Sequence, residues 1–158
     1  MDDGRMAQVE AVYRSHAPAL LRYLQRNFAS CACAEDLLQE TFLRWLSRSE
    51  AEQTTASPRA FLFGIARHVG LTAARRSRRK TTEAIGEVAA RPQTETDADL
   101  QRMQTAIATL PQQIRETLEL RLRDELSYEE IAAALEIPVG TVRSRLHNAL
   151  QLLRAAMT

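Results

Sequence analysis

Residues Leu126–Leu146 read LSYEEIAAALEIPVGTVRSRL, and this stretch decides the fold. Ser127 followed three residues later by Glu130 has the spacing of a capping box, which satisfies orphan amides at a helix start. Ile131, Ala132 and Leu135 then supply one apolar face. Pro138 disfavours helical backbone at Ile137, so that helix has to stop. A second helix opens at Pro138 or Val139, because proline's missing amide is no loss there. Val139, Val142, Leu146, Leu150 and Leu153 recur at spacings of three and four and predict one buried stripe. Two short helices joined by a tight turn follow.

The remaining face of the second helix carries Thr141, Arg143, Ser144 and His147. Arginine can bridge two acceptors on guanine, and hydroxyls adapt to several base edges. Gly140 leaves room for close approach of a phosphate. Arg145 and Arg154 add positive charge, and no acid lies between Thr141 and Thr158. A helix-turn-helix sets such a second helix in the major groove. A helical hairpin that only packs would share the periodicity, but not the small Gly-Thr start or the acid-free tail.

Composition bounds the rest. The chain has 158 residues, room for one ordinary domain or two small ones. A formal charge of +1 excludes a uniformly basic polyanion binder, so charge is read locally. Few aromatics and glycines with abundant Ala, Leu, Arg and Glu favour helix. No apolar run reaches membrane-spanning length. The acidic opening Met1-Asp2-Asp3-Gly4 is unlike a signal peptide, which points to the cytoplasm. Cys31 and Cys33 lack the further ligands of a zinc site, so neither a metal nor a cofactor is expected. There is no phosphate-binding glycine loop, no His-Glu-x-x-His motif and no nucleophile elbow; His16, His68 and His147 stand in unrelated contexts. An enzyme is not expected.

Along the chain, residues 7–29 read as a helix that Pro18 should break or kink near Ala17. Ala34–Ser47 reads as a second, with Leu37, Leu38, Phe42, Trp45 and Leu46 buried. Its other side carries Glu35, Asp36, Gln39 and Glu40, either a solvated acidic surface or a docking surface for a basic partner. Glu50–Ser57 has no hydrophobic period and reads as a loop. Ser57-Pro58 opens a helix to about Arg79, packed through Phe61, Leu62, Ile65, Ala66, Val69 and Ala73. Its later part carries Arg67, His68, Arg75, Arg76, Arg78 and Arg79, and five positive side chains fall within Arg75–Lys80. Charge so dense on a packed helix suits phosphate contact, which positions a protein without reading bases. Thr81–Thr96 is polar and acidic and reads as a flexible linker. A helix marked by Leu100, Met103, Ile107 and Leu110 follows, then one from Pro111 with Ile114, Leu118 and Leu122 on one side. The expected architecture is all-α: two small helical domains, 1–80 and 97–158, joined by a linker over 81–96, the second holding the helix-turn-helix.

Together these motifs resemble the extracytoplasmic-function (group IV) sigma factors of bacterial RNA polymerase, in the sigma-70 family, over nearly the whole chain. Ala34–Arg44 (AEDLLQETFLR) is similar to the family's polymerase-docking helix. Pro58–His68 (PRAFLFGIARH) with Arg75-Arg76 resembles its minus-10 stretch, and Leu110-Pro111, Leu118–Arg121, Leu126–Ala132 and Val139–His147 resemble its region 4. The resemblance implies that Glu35, Asp36, Gln39 and Glu40 contact core RNA polymerase. It implies that the helix from Arg67 to Arg79 faces the minus-10 element, with a base flipped from the opened strand held near the loop before Ser57. Arg143, Ser144 and His147 would read the minus-35 element, while Thr141 and Arg145 hold its phosphates. It also implies promoter DNA as a partner and an anti-sigma factor as regulator. The family usually has asparagine at the position of His68 and aspartate at that of Thr72, which points to an altered base preference. Pro138, Asn148 and Cys33 replace a frequent serine cap, a frequent arginine and a usual cap aspartate. The alternative is a helix-turn-helix regulator binding duplex DNA alone, which leaves the acidic helix unexplained. A protein-only adaptor leaves the basic runs unexplained.

Overall fold

A computed structural model of the protein describes residues 2–48, 50–53, 57–80 and 97–158. Among them the chain is all-helical, with eight helices and no strand. They are α1 (Asp2–Phe28), α2 (Ala34–Leu46), α3 (Glu50–Gln53), α4 (Pro58–Lys80), α5 (Ala98–Ala108), α6 (Gln112–Leu122), α7 (Tyr128–Leu135) and α8 (Val139–Met157). The chain divides into two compact units, with α1–α4 in the first and α5, α6, α8 and the start of α7 in the second. The acidic linker expected over residues 81–96 lies outside the described residues.

In the first unit α1, α2 and α4 pack against one another. Leu20, Tyr23 and Leu24 of α1, Leu37, Leu38, Phe42 and Trp45 of α2, and Leu62, Phe63, Ala66 and Val69 of α4 are all buried. Their rings interlock: Tyr23 meets Phe63 edge-on at 5.3 Å, and Tyr13 lies tilted 4.7 Å from Phe42. Ser57 caps α4 by accepting from the Ala60 N–H at 3.2 Å, as its place before Pro58 predicts.

Two details differ from expectation. Of the break or kink expected near Ala17, the break does not occur: α1 is one continuous helix through Pro18. Proline inside a helix costs about 3 kcal/mol. Each large apolar side chain buried returns roughly 1.5–3 kcal/mol, and Leu20, Tyr23 and Leu24 all follow Pro18 into the core. Pro18 is itself exposed, where water can serve the carbonyl it leaves unbonded. The stretch read as a loop over Glu50–Ser57 contains α3. That turn positions Gln53, whose amide donates to the carbonyls of Trp45 at 3.0 Å, Leu46 at 3.4 Å and Arg48 at 3.0 Å. It thereby adds a donor to carbonyls at and just beyond the end of α2, of which that of Trp45 also accepts from the Arg48 N–H at 3.1 Å.

Gly70 fixes how closely α1 and α4 approach. An added Cβ would lie 2.3 Å from Cε2 and 2.4 Å from Cδ2 of the Phe28 ring. Only a residue without a side chain fits beneath that ring.

In the second unit α5 and α6 pack on α8. Asp97 caps α5, accepting from the Asp99 N–H at 3.2 Å. α5 buries Ala106, with Leu110 just beyond its end, and leaves Leu100 and Met103 exposed, against expectation. α6 buries Thr117, Leu118 and Leu120, whereas Leu122 is 61% exposed. The buried Thr117 hydroxyl donates to the Gln113 carbonyl at 2.8 Å, so its burial leaves no polar group unsatisfied. On α8 the buried stripe is Val142, Leu146, Ala149 and Leu153. Ala149 is 0% exposed while the expected Leu150 is 51% exposed: at 100° per residue Ala149 lies about 60° from Leu146 and about 40° from Leu153, within the stripe, and Leu150 lies one position outside it.

Candidate nucleic-acid interface

The capping box forms as the sequence predicts. The Ser127 N–H donates to Glu130 Oε1 at 3.0 Å, and the Glu130 N–H donates to Ser127 Oγ at 3.1 Å. Ile131, Ala132 and Leu135 of α7 are buried. Arg121 ties the approach to α7, donating to the Leu126 carbonyl at 3.1 Å with its guanidinium 5.5 Å from the Tyr128 ring centre.

The turn between α7 and α8 closes on Glu136, whose φ of 57° is in the left-handed region. The Ile137 N–H reaches back to the Ala132 carbonyl at 3.0 Å, the six-to-one bond of a Schellman ending. Glycine or asparagine is the usual residue there, so this feature had no sequence signal. Pro138 (φ −63°, ψ 148°) stands outside α8 as its N-cap residue, and its carbonyl accepts from Thr141 at 3.0 Å and Val142 at 3.3 Å.

With Val142, Leu146, Ala149 and Leu153 inward, the outward side of α8 follows from helical geometry. At 100° per residue from Arg143, Arg154 lies at about 20°, His147 at about 40°, Gln151 at about 80° and Ser144 at about 100°. Arg143, Ser144, His147, Gln151 and Arg154 are exposed and form one stripe. Arg143 has no acidic partner among the described residues. Thr141 and Arg145 fall about 160° and 200° round, at the margin of the helix rather than on the stripe. Arg145 is half-buried, and its Nη2 donates to Gln113 Oε1 of α6 at 3.5 Å. Gln151 was missed by sequence reasoning. Its signal was the four-residue spacing from His147, whose Nε2 lies 3.1 Å from Gln151 Nε2.

On α4 the same construction sets Arg78, Arg75, His68 and Arg79 at about 20°, 80°, 100° and 120° from Arg67. Leu62, Phe63, Ala66, Val69 and Gly70 occupy the other side. Arg76 lies about 180° round and does not share the basic face. His68, Arg75, Arg76, Arg78 and Arg79 are exposed and Arg67 is half-buried. No acid pairs with Arg75, Arg76, Arg78 or Arg79 among the described residues. Unpaired guanidinium groups on a rigid helix are suited to phosphate oxygens.

The expected acidic face of α2 is solvent-exposed throughout: Glu35, Asp36, Gln39 and Glu40. Two apolar residues lie inside it. Leu43 is 62% exposed and Leu46 38% exposed, at about 80° and 20° from Glu35, between the acidic positions. Leu46 was expected in the core; packing leaves it at the margin of the helix end. Glu40 pairs with Arg44 at 2.9 Å. Cys33 stands at the N-cap of α2 without bonding a helix amide. Its thiol donates instead to Glu35 Oε2 at 3.1 Å, which is the largest cause holding the Glu35 carboxyl below the usual glutamate value.

Among the described residues no three His, Cys, Asp or Glu side chains are grouped to hold a metal, and no helix is long and apolar enough to cross a membrane. What the described residues offer is three faces on helices: one acidic and apolar, two basic.

Comparison with known proteins matches the chain to a family. Residues 12–80 match the model of Sigma-70 region 2, and residues 100–153 match Sigma-70, region 4. The chain is 34% identical over 158 residues to the ECF RNA polymerase sigma factor SigL of Mycobacterium tuberculosis, covering 96% of this chain and 89% of that one. It is 39% identical over 132 residues to M. tuberculosis SigC, covering 77% and 69%. The fold resembles that of the Bartonella quintana sigma factor RpoE, solved with the anti-sigma factor NepR, at a TM-score of 0.62 and 27% identity over 87% of this chain and 91% of that one. A two-unit helical chain related in this way to sigma factors over nearly its full length belongs to the extracytoplasmic-function sigma factors of the sigma-70 family.

Proposed function

We propose that this chain binds core RNA polymerase through the exposed side of α2 and brings two DNA-facing helices to a promoter, α4 to the minus-10 element and α8 to the minus-35 element. Residues 1–80 act as the polymerase-docking and minus-10 domain, 81–96 as the linker and 97–158 as the minus-35 domain. The observation that carries this is the pair of basic faces in separate units, together with an acidic helix bearing exposed leucines. One basic face would suit an ordinary regulator. Two, with a docking helix, suit a protein that works as part of a larger machine.

On α2, Glu35, Asp36, Gln39 and Glu40 steer and register docking by charge, while Leu43 and Leu46 supply apolar area. On α4, His68, Arg67, Arg75, Arg78 and Arg79 meet the minus-10 strand, with Arg76 reaching phosphate from the flank. A flipped base costs a few kcal/mol to extract, which contacts near Ser57 have to offset. On α8, Arg143, Ser144 and His147 read bases, and Thr141 and Arg145 hold phosphates from the margin. The polymerase performs the nucleotide chemistry. The protein works in the cytoplasm, and an anti-sigma factor holds it silent, a reading supported by its likeness to the Bartonella complex.

A band-shift series with and without core polymerase tests this. Selective promoter retention is expected only with core. Strong retention by the chain alone would favour a conventional regulator, and none in either case an adaptor. Asp36→Ala is expected to weaken core binding and Arg143→Ala to weaken minus-35 use. Normal initiation by both variants at limiting protein would refute the assignments.

A further inference from the structure

Along the outward stripe of α8 a side-chain hydrogen bond joins His147 to Gln151, Nε2 to Nε2 at 3.1 Å. We infer that Gln151 is a positioning residue for base recognition: it fixes the edge and the tautomer that His147 presents to DNA. The inference rests on the reading of α8 as the minus-35 helix.

The chemistry is specific. Gln151 donates through its amide nitrogen, so His147 Nε2 is the acceptor and the imidazole proton sits on Nδ1. The free edge of His147 is then a hydrogen-bond donor, matched to acceptors such as guanine N7 and O6 or thymine O4 in the major groove. An unconstrained neutral imidazole would offer that edge as donor or acceptor and discriminate less. The pair is one turn apart on the same side of the helix, and both residues are exposed. In water such a pair is weak. In a groove from which water is excluded, the same bond strengthens, so its influence is felt on the complex.

This role differs from direct contact by Gln151. Gln151 sits about two turns beyond Arg143, and a positioning residue acts only through His147. A double-mutant cycle separates the two. Holoenzyme carrying the wild-type chain, His147→Ala, Gln151→Ala or both would be assayed for initiation on promoters substituted singly across the minus-35 element. His147→Ala is expected to cut discrimination at one base pair by about fivefold or more, the lower end for a lost base contact. Gln151→Ala is expected to reduce it at that same base pair by about 1.4- to 2.3-fold, in keeping with the strength of an i, i+4 pair. In the His147→Ala background, Gln151→Ala is expected to add nothing. Imidazole ¹⁵N shifts of the full chain report the tautomer directly, and the Nδ1-protonated form is expected to fall in Gln151→Ala.

A Gln151 effect that persists without His147, or that falls at another base pair, would overturn the inference. So would an unchanged profile in Gln151→Ala beside a clear response to His147→Ala; in that case the minus-35 reading survives. Loss of minus-35 dependence in none of the variants, Arg143→Ala included, would instead remove the reading on which the inference stands.

Discussion

Gly70→Ala tests whether the approach of α1 to α4 is set as described. In an exposed helix the change would stabilise by up to about 1 kcal/mol, since alanine is the better helix former. Here the new methyl would stand 2.3, 2.4 and 2.6 Å from three atoms of the Phe28 ring. Carbon atoms rest about 3.5–4.0 Å apart, so the ring has to retreat by more than about 1 Å. Phe28 is 7% exposed and meets Tyr23 edge-on at 6.1 Å, so it has nowhere open to go. Overpacking of this kind costs about 1–3 kcal/mol, and with three ring atoms involved the upper half applies. Net destabilisation should be about 1–2 kcal/mol, a fall in Tm of roughly 5–15 °C for a unit of this size. Thermal unfolding followed by circular dichroism measures it, and hydrogen exchange in α1 and α4 assigns the loss to the first unit. Phe28→Leu combined with Gly70→Ala should be more stable than the sum of the single changes predicts. A rise in Tm for Gly70→Ala alone, with no coupling to Phe28, would refute the reasoning.

Three further outcomes are expected. Ser127→Ala should cost the second unit about 1 kcal/mol in denaturant unfolding, because it removes one half of the capping box. Leu43→Asp should leave the unfolding free energy within about 0.5 kcal/mol of wild type, as an exposed position, yet weaken core polymerase binding by about tenfold, the ratio for roughly 1.4 kcal/mol; titration of labelled chain with core measures it. Cys33→Ala should move the Glu35 titration, followed by carboxyl ¹³C shifts, up toward the ordinary glutamate value. With the folded value lowered, whatever stability the bond supplies is present above the unfolded carboxylate value and is lost as pH falls through the folded one. In Cys33→Ala that acid-side dependence should shrink.

The fold was legible wherever chemistry is local. Ser127 with Glu130 and Ser57 before Pro58 are caps whose geometry depends on neighbours in sequence, and the described structure contains both. Burial was legible only to within one position on a helix. Spacings of three and four admit both Ala149 and Leu150, and hydrophobicity favours the leucine; the register of the packed helix buries the alanine. Leu122, Leu100, Met103 and Leu46 were misplaced for the same reason: an apolar residue at the edge of a stripe carries no mark of which side it faces. α3 has too few residues for a period and exists to aim Gln53, a tertiary purpose. Glu136 adopts a backbone conformation that its side chain does not advertise. On the candidate faces, charge in the sequence located the helices, but only the helical register separated Arg76 from its basic neighbours and joined Gln151 to His147.

The bend between α7 and α8 is closed by backbone atoms of Ala132, Glu136, Ile137 and Pro138, with no contribution from the outward side chains of α8. On the proposed reading of α8, framing and reading are therefore separable: Arg143, Ser144 and His147, with Gln151 behind His147, are mounted on a scaffold they do not hold together, so grafting another set onto the same four positions should retarget the chain without reshaping it.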